Sequence, residues 1–400
     1  VTLLYPFDAE LDSDVRLQLL GKKAAGLQEM SLLGIPVPPG FTITTEVGNQ
    51  FRKTARWPDG LDAAIEQALR SIEARMGRGF GAADQPLLLS VRSGAPVSMP
   101  GMMDTLLNVG LSEGTLSGLA AQRGGERFAL DSYRRLLQMY GAIVRGIGAD
   151  RFQRLLSDLK TKLGHPRMLD SEIPVVALEE LVAAYLSLID EASGSPFPQD
   201  VDTQLWDAIG AVFASWDNPR ATRYRRMQRI DRASGTACIV QAMVFGNAGA
   251  RSGSGVAFTR NPSNGDKQLY GEFLPNAQGE DVVSGMRTPV ALTKSAAAPG
   301  KEGLTLEASL PEAFEAISSY CASLEKHFGD MQDIEFTIEE GLPYLLQTRT
   351  AKRAAKAAVR IAVNMVEEGV LSKEDALLRV DARSLEQLLR ARLPSDAELS

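Results

Sequence analysis

The stretch Asp333-Ile334-Glu335-Phe336-Thr337-Ile338-Glu339-Glu340-Gly341-Leu342-Pro343-Tyr344-Leu345-Leu346-Gln347-Thr348-Arg349 decides how this chain is read. Residues 333–339 alternate strictly between polar and apolar, as in a half-buried strand whose side chains point alternately to two faces. Glu340-Gly341-Leu342 reads as a three-residue hairpin loop. The returning strand then sets Ile338 against Tyr344, Phe336 against Leu346, Glu335 against Gln347 and Asp333 against Arg349. On that register Asp333, Glu335, Gln347 and Arg349 share one face, and Phe336 and Ile338 share the other. Oxygen donors on rigid neighbouring strands suit Mg²⁺, especially where substrate phosphates complete the shell. The oxygens of this face are therefore candidate metal ligands, and Arg349 could neutralise phosphate charge beside the metal. The same face can equally be a solvated surface with an Asp–Arg pair worth under about 1 kcal/mol. A two-residue turn would shift the register and break the Glu335–Gln347 pairing.

Working outward, short strand-like runs at residues 237–244, 256–259 and 269–273 precede this hairpin, separated by Gly, Asn and Asp. Helical spacing dominates elsewhere. Residues 15–34 carry an apolar stripe that stops at Gly34, and residues 62–76 form a second amphipathic helix. Residues 113–190 are mostly helical, Pro196 and Pro198 mark a boundary, and a further helix runs around residues 205–216. Residues 351–368 are helical, and Ser372-x-x-Asp375 and Ser384-x-x-Gln387 resemble capping boxes. Residues 35–40 (IPVPPG) form a tight extended connection, and residues 394–400 a frayed tail. The fold class is α+β. With 400 residues, 44% hydrophobic and 23% charged, the chain is an ordinary globular one of two to four folding units. A formal charge of −7 does not suggest a nucleic-acid coat or an anionic membrane as partner, and no apolar run is long and uninterrupted enough to span a bilayer. Acidic residues from Asp8 to Asp14 argue against a signal peptide, and two distant cysteines point to a reducing cytoplasm.

Four further segments carry possible chemistry. In Gly21-Lys22-Lys23-Ala24-Ala25-Gly26-Leu27 the lysines read locally as solvated helix-face charges, since the spacing is not that of a Walker loop. Ser90-Val91-Arg92-Ser93-Gly94 delivers an arginine from a strand into the Gly- and Met-rich residues 98–105 (SMPGMMDT). An arginine fork and glycine backbone suit a phosphate, but a surface loop with an ion-paired arginine fits as well. Residues 246–255 (GNAGARSGSG) can cover a triphosphate or form a mobile hairpin connection. Residues 237–244 (ACIVQAMV) can be an adenine-reading hinge or a plain core strand.

Together the segments SVRSGAPVSMPGMMDTLLNVG (90–110), GSGVAFTRNP (253–262), YGEFLPNAQGEDVVSGMRTP (270–289) and MQDIEFTIEEGLPYLLQTR (331–349) resemble the nucleotide-binding part of the pyruvate phosphate dikinase family, over nearly the whole chain. Related phosphoenolpyruvate synthases carry a different sequence at the MPGMMDT position. The resemblance implies an ATP-grasp fold, with two α+β lobes clasping ATP, a helical insert and a C-terminal helical linker. It implies lobe 1 over 1–111 and 199–243, the insert over 112–198, lobe 2 with the metal-binding hairpin over 244–349, and the linker over 350–400. By motif, Lys23, Arg92 and Arg349 become catalytic phosphate ligands. Gly101, Met103 and Thr105 line the nucleotide, and Gln241, Met243 and Val244 form the hinge. Asp333 and Glu335 are the acidic pair, Glu335 and Gln347 hold Mg²⁺, and Glu280 and Asp281 are further metal or phosphate candidates. The family loop usually reads like GGKGANL. Here Lys22 and Ala24 replace two glycines and Gly26 replaces the asparagine.

The family reaction converts ATP, phosphate and pyruvate to AMP, pyrophosphate and phosphoenolpyruvate through a phosphohistidine on a swivelling domain. Neither of the chain's two histidines, His165 and His327, lies in a motif like that carrier's, and no pyruvate-binding barrel is recognisable. The expectation is an incomplete dikinase: an ATP-binding part that works with carrier and pyruvate domains located elsewhere. A free-standing ATP-binding regulatory module and a dikinase with another acceptor are the alternatives.

Overall fold

Burial of regularly spaced apolar residues builds each helix. In Leu61–Met76, Leu61, Ile65, Leu69 and Ile72 fall on one face and are all buried, and Gly77 ends the helix in the left-handed conformation. The computed structural model describes residues 2–97, 99–231, 234–284 and 287–382, with only the backbone of Glu280, Val283 and Ser284. The expected capping box at Ser384 and the tail at 394–400 lie outside the described residues. The chain divides into two units, Val1–Ala250 and Arg251–Ser400.

The first unit contains strands β1 (Leu4–Pro6), β2 (Gly40–Ile43), β3 (Gly79–Phe80), β4 (Pro86–Leu87), β5 (Leu89–Gly94), β6 (Thr105–Val109) and β7 (Ala237–Ala242). Its helices are α1 (Ser13–Leu32), α2 (Thr45–Thr54), α3 (Leu61–Met76), α4 (Glu113–Gln122), α5 (Gly125–Ile143), α6 (Ala149–Lys162), α7 (Val175–Ser193), α8 (Val201–Ala214) and α9 (Pro219–Gln228). One sheet runs β1-β2-β7-β5-β6 with every neighbour antiparallel, and β3 pairs with β4 in parallel. A single apolar cluster joins sheet residues such as Phe41, Val91 and Val240 to Tyr140, Tyr185 and Phe213 of the helices. Within the helical region Asp131 is buried against Arg134 at 2.8 Å and Arg135 at 3.1 Å. Burial alone would raise this carboxyl. The Arg134 and Arg135 charges outweigh burial and hold it below the usual range.

The second unit contains β8 (Gly253–Phe258), β9 (Tyr270–Pro275), β10 (Val290–Ala291), β11 (Gln332–Glu339) and β12 (Leu342–Thr350), with α10 (Gly279–Ser284), α11 (Leu306–Ser309), α12 (Pro311–Phe328), α13 (Ala355–Glu367) and α14 (Lys373–Arg379). Its sheet runs β10-β9-β8-β11-β12, antiparallel throughout. The glycine-rich residues 246–255 are only partly a loop, because Gly253 and Gly255 belong to β8. A Cβ on Gly253 would lie 2.3 Å from the Phe273 ring, and one on Gly255 2.5 Å from the Phe336 ring. These glycines leave room for two aromatic side chains, so the composition that suggested a mobile loop serves packing here. Met331, Ala357, Ile361 and Met365 form a small core that seats α13, and Ser372 caps α14 through the Asp375 N–H at 3.0 Å.

The hairpin differs from its sequence reading in an informative way. Glu340 and Gly341 alone form the turn, with φ of 52° and 87°. The pairs are therefore Glu339–Leu342, Ile338–Pro343, Thr337–Tyr344 and Phe336–Leu345, not Phe336–Leu346 and Ile338–Tyr344. A register shift follows between Glu335 and Phe336, where Leu346 is the extra residue of β12. This bulge absorbs the missing loop residue and restores the Glu335–Gln347 and Asp333–Arg349 pairs.

Candidate functional site

In the first unit, the candidate site begins where α1 breaks. Gly21 sits at φ 74° and ψ 166°, a conformation confined essentially to glycine, so the expected continuous helix is two helical segments. A Cβ at Gly21 would lie 2.1 Å from the Gly94 carbonyl oxygen, and the Lys22 N–H donates to the Ala95 carbonyl at 2.9 Å. The break thereby seats the Lys22-Lys23 turn against the end of β5, two residues beyond Arg92. Lys22 is exposed and Lys23 half-buried at the start of the second segment. Such a start presents N–H groups without intrahelical partners, a setting that favours anions.

Arg92 is 9% exposed and lies opposite Thr105 on β6 and Ile239 on β7. Its Nη2 donates to Oε1 of Gln241. Arg92 is thus a buried strand arginine, not the surface-loop arginine that the sequence left open. In the loop beyond it, Asp104 accepts from Arg220 and, at 2.7 Å, from Asn218. Gly101 turns the loop at φ 69° and is exposed, whereas Met103 packs beside Trp216 with its sulfur 3.9 Å from the Ser215 hydroxyl. Of the three loop candidates, Thr105 is the one set directly beside Arg92.

The hinge candidates are tightly committed. Ala242 N–H donates to the Pro39 carbonyl at 2.9 Å, and Met243 N–H to the Leu88 carbonyl at 2.8 Å. The Met243 N–H is therefore already used. Met243 and Val244 are buried, and the Gln241 side chain points to Arg92. An adenine edge here would be read by the main chain around Val244.

In the second unit, β11 and β12 place Asp333, Glu335, Gln347 and Arg349 on one face. Arg349 Nε and Nη2 both reach Asp333 Oδ2 at 2.7 Å, leaving the other edge of the guanidinium unused by Asp333. Glu335 and Gln347 are directly opposed and half-buried. Their donor set fits a hard cation only in part. Among the described residues no cluster of three or more His, Cys, Asp or Glu is arranged to hold a metal ion. Two protein oxygens with the rest of the shell open is the pattern of Mg²⁺ bound together with substrate phosphates. Asp281 Oδ2 accepts the Gln278 N–H at 3.0 Å at the start of α10, a local capping role. The Glu280 side chain lies outside the described residues.

Two features escaped the sequence reading. Glu272 lies in the same cross-strand row as Glu335, with Val256 between them, on the same face. At strand spacing their backbones are roughly 10 Å apart, too far to chelate one ion without long reach by both. Its only signal is one glutamate inside the short strand-like run 269–273. The Gln241–Arg92 contact is the second. A glutamine inside the apolar run ACIVQAMV was its only trace.

Comparison with known proteins gives a consistent result. The family model described as pyruvate phosphate dikinase, AMP/ATP-binding domain, matches residues 49–300 and 293–369. The chain is 53% identical over 372 residues to a pyruvate, phosphate dikinase of Rhizobium meliloti, covering 92% of this chain and 41% of the relative. It is 48% identical over 386 residues to the pyruvate, phosphate dikinase of Giardia intestinalis, covering 96% and 42%. It is also 48% identical over 372 residues to the chloroplastic pyruvate, phosphate dikinase of Flaveria pringlei, covering 93% and 37%. The chain thus spans about two fifths of the length of these curated relatives.

Proposed function

Because the chain belongs to the family of the pyruvate phosphate dikinase AMP/ATP-binding domain, we propose that it binds MgATP in an ATP-grasp arrangement and donates the pyrophosphoryl group of ATP. The acceptor is a histidine on a separate carrier domain. Its ring nitrogen attacks the β-phosphorus, the bond from that phosphorus to the α–β bridging oxygen breaks, and AMP leaves. A pyruvate-binding domain completes the conversion of ATP, phosphate and pyruvate to AMP, pyrophosphate and phosphoenolpyruvate. Both cysteines are free and buried, which supports the reducing cytoplasm expected from their number and separation.

The observation that carries this reading is the polar face of β11 and β12, where a bulge preserves the Glu335–Gln347 and Asp333–Arg349 pairs despite the shorter turn. Glu335 and Gln347 would hold Mg²⁺, which supplies positive charge beside the phosphates. Arg349 offers the guanidinium edge that Asp333 does not use. Lys23, Arg92 and Thr105 serve the phosphates from the first unit, and Val244 and its neighbours read the base. Preset cations of this kind lower the barrier by meeting charge that builds up around the phosphorus under attack.

Calorimetric titration of the chain with ATP tests the reading. Binding is expected only with Mg²⁺ present, and Glu335→Ala should weaken it at least about 10-fold, the loss of roughly 1.4 kcal/mol or more. Mg²⁺-independent binding, or an unchanged Glu335→Ala variant, would remove Glu335 from the site.

A further inference from the structure

We propose that Gln241 is a positioning residue: held by the Pro38 carbonyl, its side-chain amide sets the guanidinium of Arg92 for phosphate, so that Gln241 governs affinity for the phosphates and not for the base. The role rests on the MgATP reading above and deepens it. Gln241 is 1% exposed. Its Nε2 donates to the Pro38 carbonyl at 2.9 Å, and its Oε1 accepts from Arg92 Nη2. Neither partner tolerates the flipped amide, because a carbonyl only accepts and a guanidinium only donates. The two contacts therefore fix the same orientation.

The strands make this contact geometrically natural. Gln241 lies opposite Ser90 on β5 and opposite Gly40 on β2, while Arg92 lies opposite Ile239. Gln241 and Arg92 are thus diagonal neighbours on one face, within reach of long side chains. Thr105 flanks Arg92 from the other side. The acceptor end is preset by the proline-rich residues 35–40, whose ring-bearing members have fixed φ. Pro39 adds a second tie by accepting the Ala242 N–H at 2.9 Å. Gly40 allows the close approach, since a Cβ there would lie 2.6 Å from the Val240 carbonyl oxygen. The IPVPPG segment, otherwise unexplained by the function, thereby becomes the anchor of a phosphate ligand.

The contact also differs in kind from the one at Arg349. There a carboxylate, Asp333, orients the guanidinium and partly offsets its charge. At Arg92 a neutral amide orients without itself cancelling charge, which suits a cation meant to meet an anion.

The test compares MgATP with adenosine, which shares the base and sugar but has no phosphate, by calorimetry on the full chain. Gln241→Met keeps the side-chain volume and removes both hydrogen bonds. MgATP is expected to bind at least roughly 10-fold more weakly, with adenosine changed less than about two-fold. Arg92→Ala should show the same split, and the double variant should be little worse than Arg92→Ala alone, since the two residues act through one contact. Gln241→Asn, which keeps both polar groups but draws them back, should shift MgATP in the same direction by less, and serves if the methionine variant fails to fold. Wild-type MgATP affinity in the folded variants, or equal losses for MgATP and adenosine, would overturn the role. A wild-type chain that binds adenosine but no MgATP would overturn the site reading and this role together.

Discussion

Gly21→Ala is expected to abolish measurable MgATP binding and to destabilise the first unit by about 3–5 kcal/mol, read from the urea midpoint. Two independent costs combine. At φ 74° and ψ 166° the backbone is in a region that side-chain-bearing residues avoid, worth about 1–3 kcal/mol. The new methyl would also sit 2.1 Å from the Gly94 carbonyl oxygen and 2.5 Å from its carbon. Both are backbone atoms, so no flexible side chain can yield. Relief requires the Lys22-Lys23 turn to move off the end of β5, which loses the Lys22 N–H bond to Ala95 and carries Lys23 with it. Gly34→Ala is the control. Gly34 also has a positive φ, 73°, but nothing lies within 4 Å of its Cβ. It should cost about 1–2 kcal/mol and leave ATP affinity intact. A Gly21→Ala chain that binds MgATP like wild type would show that this turn is not part of the site.

The same residue shows how far the sequence could be read. The apolar stripe of residues 15–34 was legible, but the break inside it was not, because Gly21 is forced out of the helix by a strand end some seventy residues later. The second sheet was legible from alternation in residues 333–339 and 344–348, whose pattern records two faces directly. Its exact register was not. Turn length and bulge compensate each other, and Leu346 looks like any other strand leucine. The strands β2 and β6 were missed as strands for a related reason. Gly40-Phe41-Thr42-Ile43 is buried at every position, so it shows no alternation, and Thr105–Val109 follows a glycine-rich loop that masked its start. For the site, charged groups on regular strands were easy to nominate. What they touch was not, since the Arg92–Gln241 contact joins residues 149 apart in sequence.

Arg260→Met is the second large effect expected, a loss of about 3–5 kcal/mol in the second unit. Arg260 has no exposed side-chain surface and donates to two carboxylates, Glu325 on α12 at 2.8 Å and Glu368, just beyond α13, at 2.6 Å. It thereby ties both helices to the segment following β8. Methionine fills much of the volume but leaves Glu325 without the Arg260 cation and Glu368 with Lys267 in place of two cations, and poorly compensated charge is costly in a desolvated place. Replacing the partners as well, in Arg260→Met/Glu325→Gln/Glu368→Gln, should recover more than half the loss, because the penalty lies in the unpaired charges and not in a missing attraction. Acid titration gives an independent reading. Hydrogen bonding from Arg260 holds the Glu368 carboxyl below the usual carboxylate range, with a smaller contribution from Lys267, whose Nζ is 2.9 Å away. A depressed folded-state value means that this stabilisation is fully present above the ordinary glutamate range, near pH 4–5, and is lost as pH falls through the lower folded value. In wild type the urea midpoint should therefore fall as pH drops below that range. In Arg260→Met the Glu368 share of that fall should shrink, since the group that depresses the carboxyl is gone. Equal acid dependence in the two proteins, or a variant as stable as wild type at neutral pH, would mean that Arg260 is not what fastens α12 and the end of α13 to this unit.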